Sequence, residues 1–121
     1  MRLIIKGELT DLNTYINAER TNRFAAAKIK KTETERVWAN CKEQKLKPMR
    51  GLYSVTFYWY NKNTRKDFDN IEFAQKFIWD GLVMAKIIKT DGQKDTPPVR
   101  THIHFVDAAR PCVEVVLKET C

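Results

Sequence analysis

The sequence predicts an α+β fold of order β-α-β-α-β-β, a mixed sheet of about four strands packed by two helices. Three observations carry this. Apolar residues alternate over Leu52–Tyr60, Val99–Val106 and Cys112–Lys118. Between Asn70 and Ile87 they recur instead at three and four residues. The 121 residues, with no repeat, linker or low-complexity stretch, make one domain over 1–121.

The elements follow in order. Residues 1–8 read as a short strand with Leu3 and Ile5 on one face. A polar stretch, Thr10 to Tyr15, leads into a helix over about residues 20–45, rich in Ala, Lys, Glu and Arg. No apolar residue occurs from Lys30 to Arg36, so this helix is expected to pack at its ends and face solvent between them. In the strand Leu52–Tyr60, Tyr53, Val55, Phe57 and Trp59 share one face. The second helix carries Ile71, Ala74, Ile78, Leu82 and Ala85 on its apolar stripe. Its narrow polar seam is Glu72, Lys76 and Asp80, spaced for i, i+4 pairing. Lys89–Pro98 reads as a loop, and Asp107–Pro111 as a hairpin-length turn between the last two strands.

Composition narrows the function. Apolar residues make up 43% and aromatic residues 11%, which excludes disorder as the default. No run approaches the roughly 20 apolar residues of a membrane span. The N-terminus turns polar too early for a signal peptide, so a soluble, cytoplasmic protein is expected. Cys41, Cys112 and Cys121 are odd in number and form no CxxC, which argues for reduced thiols. Net charge is +7, and Glu19–Arg50 holds ten Lys or Arg against four Glu, +6 of that total. Such a segment suits phosphates, or is a solvated helix surface.

The chemistry concentrates in Arg65-Lys66-Asp67-Phe68-Asp69-Asn70. In extended backbone, Asp67 and Asp69 point the same way. Paired carboxylates are costly without a cation, and hard oxygen ligands suit Mg²⁺ or Mn²⁺. Arg65 and Lys66 are placed to approach phosphate oxygens, and such a set is what metal-assisted phosphodiester cleavage needs. Alternatively, Asp69 caps the second helix with Glu72 three residues on. Lys76 suits a developing phosphate charge, or simply pairs with Glu72 or Asp80. His102 and His104 alternate on one strand without a third ligand near in sequence. Phosphate-loop, dinucleotide-binding, serine-hydrolase and zincin motifs are absent.

Lys66-Asp67-Phe68-Asp69-Asn70, then Lys76, Asp80-Gly81-Leu82 and Thr90-Asp91-Gly92, resemble the RusA family of Holliday junction resolvases. Leu12–Arg20 and Asn22–Lys28 look like the phage and Gram-positive branch of that family. The resemblance runs from about Leu12 to Val115. It implies a Mg²⁺-dependent homodimer, phage or prophage encoded, that acts in DNA recombination and repair in the bacterial cytoplasm. The dimer would bind four-way junctions by shape and nick two opposing strands symmetrically.

On that resemblance the catalytic and metal-binding acids fall on Asp67, Asp69 and Asp91, and the essential lysine on Lys76. Lys66 would contact DNA. The residues beside it, Arg65, and those of the basic helix, Arg20, Arg23, Lys28, Lys30 and Lys31, would track the backbones. The family's spacing between the Asn and the later Asp-x-Leu is shorter than here, and Thr90 stands where an acid often precedes the third acid. Asp95 and Asp107 are therefore alternatives to Asp91. The rival reading is a branched-DNA-binding protein whose acids only cap a helix and balance charge.

Overall fold

The computed structural model describes residues 1–120; Cys121 lies outside them. The elements are β1 (Arg2–Lys6), α1 (Leu12–Thr21), α2 (Arg23–Glu43), β2 (Leu52–Asn61), α3 (Phe68–Glu72), α4 (Gln75–Met84), β3 (Val99–Val106) and β4 (Cys112–Glu119). They form one α+β unit, a four-stranded mixed sheet of order β1-β4-β2-β3. β4 runs antiparallel to both β1 and β2, whereas β2 and β3 are parallel.

The core lies on one sheet face. Leu3, Ile5, Val55, Phe57, Val115 and Leu117 are fully buried there, against Val37, Phe77, Ile78 and Leu82 from the helices. α2 and α4 approach closely at Gly81, where an added Cβ would sit 2.4 Å from the Val37 side chain. The opposite face, with Tyr58, Tyr60, Ile103 and Phe105, carries no helix and is half-buried to exposed.

Five expectations are corrected. The first helical region is two helices, and it begins at Leu12. Asp11 caps α1 by accepting the Thr14 N–H at 2.8 Å. Asn22, extended at φ −170° and ψ 126°, ends α1 and accepts the Phe24 N–H at 2.7 Å to start α2. One side chain therefore serves both helices.

The polar middle of α2 is not solvated. Glu33 and Thr34 are buried. Glu33 accepts the Thr10 N–H at 2.7 Å, and Arg36 donates to the carbonyls of Glu8 and Lys6, so this polar run joins α2 to the segment after β1.

The second helical region breaks at Phe73–Ala74 into α3 and α4, and the two-helix layer becomes four segments. Its seam forms no i, i+4 ion pair among the described residues, because Glu72 turns to His104 instead.

Finally, β3 and β4 flank β2 and do not pair. Residues 107–111 cross the end of β2, held by Asp107 N–H to Asn61 O and Gly7 N–H to Pro111 O, each at 2.7 Å. Tyr53 leaves the buried face because the β2–β4 register shifts between Leu52 and Ser54.

Candidate functional site

β2 ends at Asn61, and the loop 62–67 carries the chain into α3. Beside this loop, at the matching end of β3, lies a cavity of about 460 Å³. Asp67, Lys66 and Phe68 from the loop line it with Asn61, His104 and Phe105 from the strands.

Asp67 occupies the N-cap position of α3, with φ −66° and ψ 151°, but its side chain makes no cap hydrogen bond. Asp69 follows in the first helical turn. The helix thus starts at Phe68, and the two acids straddle its start rather than alternating along extended chain. The N-cap position expected of Asp69 is held by Asp67, without a side-chain cap bond. Both acids are exposed, and among the described residues neither forms an ion pair. The first turn of a helix favours negative charge, which helps hold two carboxylates there.

Lys66 is otherwise engaged. Its Nζ lies 2.8 Å from Asp11 Oδ2, and only a third of its side chain is exposed. Burial alone would push the Asp11 carboxyl up, but the hydrogen bonds from Lys66 and Thr14 outweigh it and hold the pKa below its ordinary value. Asn13 N–H donates to Asn70 Oδ1 at 2.9 Å, a second tie between α1 and α3. Arg65 is exposed, and its N–H donates to Asn63 Oδ1.

The wall opposite Asp67 was not visible in the sequence. His104 Nε2 lies 2.6 Å from Glu72 Oε2, while its Nδ1 faces the Asn61 amide nitrogen at 3.1 Å. With the Asn61 amide as donor, His104 carries its proton on Nε2 and donates to Glu72. The Phe68 ring stacks on His104 at 4.1 Å between centroids. His102, one step back on the same face, accepts from Trp59 Nε1–H at 3.0 Å, and burial holds its pKa below the ordinary value. The available signal was parity: His102 and His104 pair in register with Phe57 and Trp59, so they face the helices.

The other site residues are distributed as follows. Lys76 is exposed in the first turn of α4 and does not line the cavity. Arg20 and Arg23 sit at the α1–α2 junction, and Lys28, Lys30 and Lys31 on the next turns of α2, all exposed. The only buried residue of α2 before Glu33 is Ala26, so this half forms an exposed basic helical arm, while Tyr15 of α1 and Ile29 of α2 pack against the core. The arm's base is near the candidate site, since Thr10, two residues before α1, contacts α2 at Glu33, and Asp11 contacts Lys66.

Asp91 does not join Asp67. α4 returns the chain to the start of β2, where Met49 N–H donates to Ile87 O, and β3 restarts opposite Ser54. At roughly 3.3 Å per strand residue, on the order of 20 Å of sheet separates the two loops. Asp95, Asp91's nearest rival, accepts the Thr90 hydroxyl at 2.6 Å. Asp107 is at the Asp67 end of the sheet, but its carboxylate accepts the Arg110 N–H at 3.0 Å.

Among the described residues no three His, Cys, Asp or Glu side chains form a metal-binding group. Cys41 is buried and Cys112 half-buried, both as free thiols, and burial pushes the Cys41 pKa up to about 11. No helix among the described residues is long and apolar enough to cross a membrane. No protein-family model and no curated protein matches this chain.

Proposed function

We propose that this protein is a metal-dependent endodeoxyribonuclease that resolves four-way DNA junctions as a homodimer. The observation that carries the reading is Asp67 and Asp69: two exposed carboxylates without ion-pair partners at the start of α3, the first of them lining the cleft, beside a cationic helical arm. Their donor chemistry fits Mg²⁺ or Mn²⁺. A bound ion there would activate water and neutralise charge on the phosphate and its leaving oxygen.

The chain's own groups do the rest. Lys66 and Asp11 fix the loop that presents Asp67. Phe68 and His104 close the cleft wall behind it. Arg20, Arg23, Lys28, Lys30 and Lys31 hold DNA backbones at a distance from the reacting phosphate, which shape selection needs and base readout does not. Lys76, exposed in the first turn of α4, would approach a phosphate oxygen from outside the cleft.

Asp91 cannot complete the site within one chain. In a twofold homodimer, the end of the sheet bearing Asp91 in one copy can meet the end bearing Asp67 in the other. The separation of these acids equally favours the rival, a non-catalytic branched-DNA binder. A labelled synthetic four-way junction separates the two readings. The nuclease gives paired nicks that depend on Mg²⁺, and Asp67→Asn or Asp69→Asn abolishes them while junction binding persists. Binding without any metal-dependent product supports the rival.

A further inference from the structure

A cavity of about 640 Å³ lies at the opposite end of the sheet from Asp67. Its walls are the loop entering β2 and the segment leaving α4. Four cationic residues line it, Arg50, Lys86, Lys89 and Lys94, against a single acid, Asp95. The Asp95 carboxylate is already bonded to the Thr90 hydroxyl. Among the described residues none of the four cations forms an ion pair, though Glu119 accepts the backbone N–H of Arg50 at 3.3 Å. Below them Val83 and Ile87 give an apolar floor.

The backbone adds an independent observation. Lys86 ends α4 with φ 61°, and the neighbouring Ile87 N–H closes onto Leu82 O at 2.9 Å. This is the left-handed position just past a helix, which normally falls to glycine because a Cβ is disfavoured there. The chain nevertheless keeps a lysine there, as it does at Lys45 (φ 56°) after α2, and Lys86 lines the cavity. The α4 carbonyl end favours one nearby cation. It does not account for four around one cavity.

We propose that this cavity is a second phosphate-binding site, which takes a DNA backbone at the end of the sheet away from the same chain's Asp67 cleft. The inference rests on the DNA reading above and extends it: a branched substrate has arms leaving in several directions, and a protein gripping it by shape needs cations at both ends of the sheet.

The test uses Lys86→Gly, Lys89→Gln and Lys94→Gln, singly and combined. Glycine suits φ 61°, so Lys86→Gly is expected to leave Tm unchanged or raised, and loss of folding does not confound it. Fluorescence anisotropy on a labelled four-way junction, from about 50 to 200 mM salt, reads the affinity. The combined variant should bind at least about tenfold more weakly at the lower salt, with a log–log salt slope shallower by about 0.9 for each phosphate no longer neutralised. Unchanged affinity and slope overturn the proposal while the wild type still binds DNA. A wild-type chain that binds no DNA overturns the DNA reading together with this one. A deoxymononucleotide titrated against thermal denaturation separates the other phosphate source. If it stabilises the wild type through these lysines while DNA binding ignores them, the cavity is a small-molecule site and the backbone assignment fails.

Discussion

Lys66 Nζ lies 2.8 Å from Asp11 Oδ2, joining the loop before α3 to the residue that caps α1. The side chain that the sequence offers to DNA is thus committed to a carboxylate 55 positions away (66 minus 11). Removing it leaves a largely buried charge unpaired. Because a third of the Lys66 side chain is exposed, the loss is discounted toward surface values. Lys66→Met should cost about 1–2 kcal/mol by urea denaturation. Asp11→Asn keeps the helix cap while losing the ion pair. The double variant should then lose less than the sum of the two, and strict additivity would mean the pair is not coupled.

The same pair separates what was legible in the sequence from what was not. The parity of Leu3 and Ile5, of Val55, Phe57 and Trp59, and the spacing of Ile78 and Leu82 all place core residues correctly, because burial imposes a local period. Caps are local too, yet the polar stretch Thr10–Tyr15 reads as a lead-in rather than a helix start, and the caps Asp11 and Asn22 that mark the true boundaries went unread. Sheet order was not legible. A five-residue link between two alternating segments looks like a hairpin, yet the parallel β2–β3 pairing takes β3 away from β4. The i, i+2 spacing of Asp67 and Asp69 suggests a pair on extended chain, but a helix begins between them. Whether Asp91 approaches them depends on where α4 ends, which no local pattern states.

The basic arm should act through charge alone. Lys30→Ala with Lys31→Ala removes two exposed cations from the half of α2 that buries only Ala26. Junction and duplex affinities should fall together, and the salt slope should flatten by about 0.9 for each phosphate these lysines neutralise. Equal slopes for variant and wild type would make this face merely solvated.

His102 sets a pH dependence of stability. Burial holds its pKa below the ordinary 6.5, opposed by Glu72 and supported by His104 and Arg100. The unfolded chain therefore takes up the proton first, and the unfolded state gains as pH falls. The His102 contribution is fully present above about 6.5 and is lost as pH drops from there through the lower folded value. Urea midpoints should fall between about pH 7.5 and 5.5, and the fall should shrink in His102→Asn, whose amide oxygen can still accept from Trp59. An identical fall in that variant would assign the dependence to other groups.

The third acid decides whether the site belongs to one chain or two. Asp91 is exposed in a loop at the start of β3, and Asp67 follows the end of β2, so the parallel β2–β3 pair holds them apart. Asp107 shares the Asp67 end but spends its carboxylate on the Arg110 N–H. If Asp91 acts, it acts across a twofold axis, and inactive variants should complement each other. In a mixture of Asp67→Asn and Asp91→Asn, half of the randomly paired dimers contain one of each. Each mixed dimer has one site with both acids mutated and one with both intact. About a quarter of wild-type nicking should return, by twofold counting. Its product should be singly nicked junctions rather than resolved duplexes, because the second site is dead. Asp107→Asn should retain most activity. A mixture that stays inactive, although both variants bind the junction, would rule out the shared site, and an inactive Asp107→Asn would place the third ligand within the same chain.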